Sequence, residues 1–124
     1  MGLDNRPVLG NSLGGGLWRK TELQQNTAAA AETVEIDSLR LDTFKSAVYV
    51  IVVWNDAGDK IKSMMMNLGM KNGQVVESVY NKTGHPLSIA LNTIEAAGII
   101  SVNLTNNEAF NLNIDITRLA TGRP

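Results

Sequence analysis

From Phe110 to Leu119 the chain reads FNLNIDITRL, and Phe110, Leu112, Ile114 and Ile116 alternate with Asn111, Asn113, Asp115 and Thr117. A strand sends successive side chains to opposite faces, so this run has one buried face and one wet face. A helix cannot hold that period. The same beat recurs from Val34 onward. Val34 and Ile36 are out of phase with Leu39 and Leu41, and a β-bulge near Asp37–Ser38 would restore the register. Ala47–Trp54 (AVYVIVVW) is apolar on both faces, which suits a central strand or one covered by a partner. Asn55–Asp56–Ala57–Gly58 supplies a turn, and Lys71–Asn72–Gly73 joins Asp59–Met70 to Gln74–Tyr80 as a hairpin. Leu87–Thr93 and Ile99–Leu104 flank a turn at Glu95–Gly98. Read as a helix, Thr93–Gly98 is too short to propagate. About seven short strands with turn signals between them predict an all-β fold. It is an antiparallel β-sandwich, jelly-roll or Ig-like, over residues 34–124.

Residues 1–33 are unlike the rest. They hold few β-branched residues, many Gly, Asn and Gln, and the run Ala28–Ala31. Ordering a residue's backbone costs about 1–2 kcal/mol, hence on the order of 30–60 kcal/mol for thirty of them. Burying Trp18 removes roughly 150–250 Å² from water, and Leu9, Leu13 and Leu17 add smaller amounts. These side chains are too thinly spread to make a core, but they suit an extended arm anchored in grooves of a neighbour, with strand pairing added. Residues 1–33 are therefore expected to be an N-terminal arm, with Leu9, Leu13, Leu17, Trp18 and Arg19 as its partner-binding residues. The glycines Gly14–Gly16 do not make a phosphate cradle. Counted from Gly10 and Gly15, Gly16 stands where a P-loop needs lysine, and Arg19 stands where a dinucleotide fingerprint needs its third glycine.

The 124 residues make one domain, and 44% hydrophobic content is enough for a packed core. A formal net charge of −1 without a basic stripe argues against a nucleic-acid partner. No apolar run approaches the ~20 residues that span a bilayer, so no membrane partner is expected. Without cysteine there is no thiol chemistry, and with one histidine a closed zinc site is not expected. His85 sits in a Gly-His-Pro turn, Asp56 and Asp59 share a hairpin loop without calcium-loop spacing, and Ser46, Ser63 and Ser78 have no adjacent base. No catalytic residue, metal or cofactor is predicted, and the chain is not expected to be an enzyme. Met64 and Met66 share one strand face, suited to a core or a subunit contact. With Val50, Val52 and Trp54 they are the expected self-contact residues.

The stretch Phe44-Lys45-Ser46-Ala47-Val48-Tyr49, leading into an apolar strand, resembles the opening of a small β-sandwich module of tailed-phage virion proteins, especially of cyanobacterial phages. Val48 stands where a second basic residue is usual. Tyr80, Gly98 and Arg118 fall where the family has a strand-ending Tyr, a glycine turn and a closing Arg, and the similarity covers about residues 34 to 119. The resemblance implies a virion structural protein, made in the host cytoplasm. A compact sandwich with a long arm suits a capsid decoration (cement) protein that binds the major capsid protein and itself, as a homotrimer. The alternative is a tail, neck or fibre component acting as an adaptor or host-receptor-binding module.

Overall fold

The computed structural model describes residues 18–20, 27–41, 44–71 and 74–121. Among them are nine strands and no helix: β1 (Trp18–Lys20), β2 (Thr27–Ala28), β3 (Thr33–Arg40), β4 (Ser46–Asn55), β5 (Ile61–Lys71), β6 (Gln74–Gly84), β7 (Ile89–Ala96), β8 (Ile99–Asn106) and β9 (Leu112–Thr121). They form two antiparallel sheets. The larger runs β1-β9-β4-β5-β6, with β2 also paired to β9, and the smaller runs β3-β8-β7. The expected β-sandwich is the observed fold. The two strands beyond the expected seven are β1 and β2, short pieces that carry no period-two signal.

Alternation decides what lies between the sheets. Ala47, Tyr49, Ile51 and Val53 of β4 face inward with Met64, Met66 and Leu68 of β5 and Leu112, Ile114 and Ile116 of β9. Val34, Ile36, Leu39, Ile100, Val102 and Leu104 meet them from the small sheet. Each Val, Leu, Ile or Met among them contributes about 1.5–3 kcal/mol on leaving water. β4 is apolar on both faces and is indeed central, held between β5 and β9. Met64 and Met66 are 1% and 0% exposed, so they occupy the core, the first of the two places that the sequence left open for them.

The register shift expected in β3 falls between Glu35 and Asp37, one residue earlier than the sequence suggested, and it brings Val34, Ile36 and Leu39 to the same buried face. A second shift lies between Ser63 and Met65, where Asn81 on β6 takes φ 52. Asn tolerates that left-handed conformation better than most residues. β7 continues to Ala96, so the segment from Thr93 is strand and the turn shrinks to Ala97–Gly98. Both turn residues have positive φ, 55 and 80, as a two-residue hairpin needs to match strand twist. Lys71 pairs with Gln74 across the expected Asn-Gly hairpin, while residues 72 and 73 themselves lie outside the described set.

Two pieces of residues 1–33 belong to the large sheet. Trp18–Lys20 pair with Leu119–Thr117, and Thr27–Ala28 pair with Asn113–Leu112. Ala28 is fully buried, and so is Asn106, the one buried polar residue among those described. The Asn106 amide donates to the carbonyls of Ala28 and Ala29, each at 3.1 Å, and of Phe110 at 2.8 Å. Its oxygen accepts from the Glu108 N–H at 2.8 Å. A buried amide with these partners satisfies backbone groups that strand pairing leaves over. It fastens the chain at Ala28, six residues before Val34.

Candidate functional site

The two outer faces of the sandwich differ in chemistry. On the small sheet, Thr33, Glu35, Ser38 and Arg40 of β3 line up with Thr105, Asn103, Ser101 and Ile99 of β8. That face is mostly polar. On the large sheet, β4 sends Val48, Val50, Val52 and Trp54 outward, next to Asn67, Met65, Ser63 and Ile61 of β5. The outward side chains of β4 are half-buried, Ile61 is 48% exposed and Val76 of β6 is 69% exposed. An apolar stripe along the middle of an otherwise solvated sheet marks a surface suited to contact. Three of the expected self-contact residues, Val50, Val52 and Trp54, lie on this stripe. Met64 and Met66 point the other way and offer no surface. Met65 is the methionine that faces outward, where the Asn81 amide lies 3.5 Å from its sulfur.

At one end of the stripe is a depression of about 410 Å³, lined by Ser46, Val48, Asn67, Gly69, Val76 and Ser78, among others. Gly69 leaves it open. The Tyr80 hydroxyl donates to the Asn67 side-chain oxygen at 2.9 Å beside it. Of the expected arm residues, Trp18 and Arg19 are placed in β1, in register with Leu119 and Arg118, whereas Leu9, Leu13 and Leu17 lie outside the described residues. Trp18 aligns with the Val48 row while Trp54 sits at the other end of β4.

Between the sheets lies a polar cluster that the sequence did not announce. Asp37, next to the β3 bulge, accepts from the Tyr49 hydroxyl at 2.6 Å and from Arg118 Nη1 at 2.9 Å. The Arg118 guanidinium also stands 5.2 Å from the Phe44 ring centre, within cation–π range. Phe44, Tyr49 and Arg118, three of the residues that carry the phage-module resemblance, thus converge on one point. Their partner Asp37 lies outside the motif. Burial, then the charge and hydrogen bond of Asp37, push the Tyr49 phenol well above its ordinary value, and Arg118 opposes this only in part. The folded form therefore requires a neutral phenol. Its contribution is complete below the unfolded tyrosine value of about 10 and is lost as pH rises past it. The melting temperature is expected to fall above about pH 10, with Tyr49 adding tyrosinate absorbance only as near-ultraviolet circular dichroism is lost. Tyrosinate absorbance from Tyr49 in a fully folded protein would contradict this.

Among the described residues, the loop side chains serve to brace the backbone. Asn55 closes its hairpin by donating to Asp59 Oδ1 at 2.7 Å and accepting from the Lys60 N–H at 3.1 Å. That hydrogen bond holds the Asp59 carboxyl below its ordinary value. His85 Nδ1 accepts from the Ile61 N–H at 3.0 Å, so its ring braces the backbone of β5. Among the described residues no three His, Cys, Asp or Glu side chains are placed to hold a metal ion.

No family model and no curated protein matches the chain. Solved structures do. The tailspike protein of Acinetobacter phage vB_ApiP_P1 aligns with a TM-score of 0.56 and 12% identity over 99% of this chain and 23% of its own. The tailspike protein of Acinetobacter baumannii phage AM24 aligns with a TM-score of 0.47 and 10% identity, over 85% of this chain and 26% of its own. At these identities the likeness is one of fold. The chain spans about a quarter of either protein's length.

Proposed function

We propose that this chain is a β-sandwich module of the phage tail, an adaptor or receptor-binding component that works by contact and not by catalysis. The observation that carries the reading is the alignment of 99% of the chain with a segment of a phage tailspike protein. This favours the tail alternative over capsid decoration and binding to the major capsid protein, for which neither neighbour offers support. Both neighbours come from Acinetobacter phages, so the cyanobacterial association gains nothing from them. Contact is the mode favoured by the apolar stripe that one outer face carries at Val48, Val50, Val52 and Trp54. On this reading Val50, Val52 and Trp54 meet a second copy, with closed symmetry such as a trimer, and the partner-binding role of Leu9, Leu13, Leu17, Trp18 and Arg19 adds to that contact. The protein would then be a virion component.

Copy number tests the location. Quantitative mass spectrometry of purified particles is expected to find on the order of a dozen copies per particle or fewer, as closed tail symmetries allow. Hundreds of copies, in proportion to the shell protein, would return the chain to the capsid surface.

A further inference from the structure

The outward rows of the large sheet change in size from one end to the other. Trp54 stands beside Ile61, Val52 beside Ser63, Val50 beside Met65, Val48 beside Asn67, and Ser46 beside Gly69. The Trp54–Ile61 row is the bulkiest, and Ile61 is 48% exposed. The Ser46–Gly69 row is the smallest. It continues to Val76 and belongs to the depression of about 410 Å³. Gly69 needs no partner to explain it, because Val76 Cγ2 already stands 3.2 Å from where its Cβ would be. On both strands the bulky row and the small row lie four residues to either side of the Val50–Met65 row. At about 3.3 Å per residue, each is ~13 Å from that centre.

Charge divides the same way. Lys45 precedes β4 and Lys71 ends β5 beside the small row, whereas Asp56 and Asp59 lie in the loop beyond the bulky row. Lys60 of that loop is drawn over the Phe110 ring, 5.9 Å from its centre. Two sheets packed face to face lie about 10 Å apart, with their strands within about 30° of each other. A two-fold axis along the strands would set Trp54 and Ile61 against themselves and the aspartates against their own copies. An axis across the strands, over the Val50–Met65 row, sets each bulky row over the other copy's depression. It also brings each acidic loop toward the other copy's lysines. An inclination of about 30° moves the row ends sideways by ~6 Å, roughly one strand spacing. Trp54 and Ile61 span two strands and the depression spans three, so one of the two stays over it in either direction.

We propose that two copies pack by the outer faces of their large sheets about a two-fold axis that crosses β4 and β5 at Val50 and Met65. Trp54 and Ile61 of each copy fill the Ser46–Gly69–Val76 depression of the other. This rests on the reading of the β4 face as a self-contact and specifies it: the interface is isologous and closes at two copies in place of three.

The chain has no cysteine, so single introduced thiols report on position. With a bismaleimide that spans an inter-sheet gap of about 10 Å, Val50→Cys protein is expected to link to itself. Ile61→Cys protein, in equal mixture with Val76→Cys or Ser46→Cys protein, is expected to link to the better of these at least about ten-fold faster than to itself. Ile61 and Val76 are exposed, so their replacement leaves the core intact. Asn92→Cys, on the outer face of the small sheet, is the control and is expected to stay unlinked. Ile61→Cys linking to itself as fast as in either mixture, while Val50→Cys links, would overturn the two-fold register and leave the self-contact standing. Linkage no faster than the Asn92→Cys control at every position would overturn both.

Discussion

Replacing Asp37 with alanine is expected to destabilise the sandwich by about 3–5 kcal/mol, the cost of leaving one half of a buried ion pair behind. The Asp37 and Arg118 side chains are 8% and 15% exposed, and one oxygen, Asp37 Oδ2, serves both Arg118 and Tyr49. Without it the guanidinium remains under Phe44 with no counter-charge, and its Nε, already buried without a partner, has no compensation. The pair itself is worth little against an apolar replacement. The double variant Asp37→Ala/Arg118→Met is therefore expected to recover a large part of the loss, with a coupling of about 1–3 kcal/mol between the sites. Urea midpoints of the two single variants and the double variant measure this. A loss below about 1 kcal/mol for Asp37→Ala would mean that the cluster is solvated after all.

Gly84→Ala is expected to cost a similar amount for a steric reason. Gly84 has φ +101, and an added Cβ would press against the Ile61 carbonyl oxygen and stand 3.1 Å from Lys62 Cα. Those atoms cannot yield. Gly84 pairs with Lys62, the His85 N–H donates to the same Ile61 carbonyl at 2.8 Å, and the Ile61 N–H is bound to the His85 ring. Left-handed strain of about 1–3 kcal/mol and overpacking of about 1–3 kcal/mol combine to roughly 3–5 kcal/mol. Gly58→Ala and Gly98→Ala provide the control. Their φ values are +76 and +80, with nothing within 4 Å of the added atom, so only about 1 kcal/mol is expected. Equal losses at all three positions, read from thermal or urea unfolding, would show that strain alone operates at Gly84.

The sandwich was legible because its core strands alternate, and the bulge in β3 was legible because Val34 and Leu39 could not otherwise share a face. What escaped the sequence was carried by contacts between distant positions. Asp37 and Arg118 are 81 residues apart, and nothing beside Asp37 marks it as the partner of a terminal arginine. Ala28 stands in an alanine run without a period, yet the Asn106 amide, 78 residues away, seals it into the large sheet. The strand through Thr93–Ala96 was hidden because Ala97 adopts a left-handed turn conformation unusual for alanine. Of the candidate surface, Val50, Val52 and Trp54 were readable from a strand apolar on both faces. Separating Met65 from Met64 and Met66 required only the register. The Gly69 depression required the neighbouring strands.

The central claim is that the outward face of β4 is a contact surface, and sedimentation equilibrium of the full chain tests it most directly. Val50 lies mid-face between Met65 and Thr117, so Val50→Lys places a charge there without a charged cross-strand neighbour. The unaltered protein is expected to self-associate reversibly with concentration, and Val50→Lys to remain monomeric with a melting temperature within a few degrees of the original. Equal masses for the two proteins at every concentration, whether both monomeric or both associated, would contradict the account.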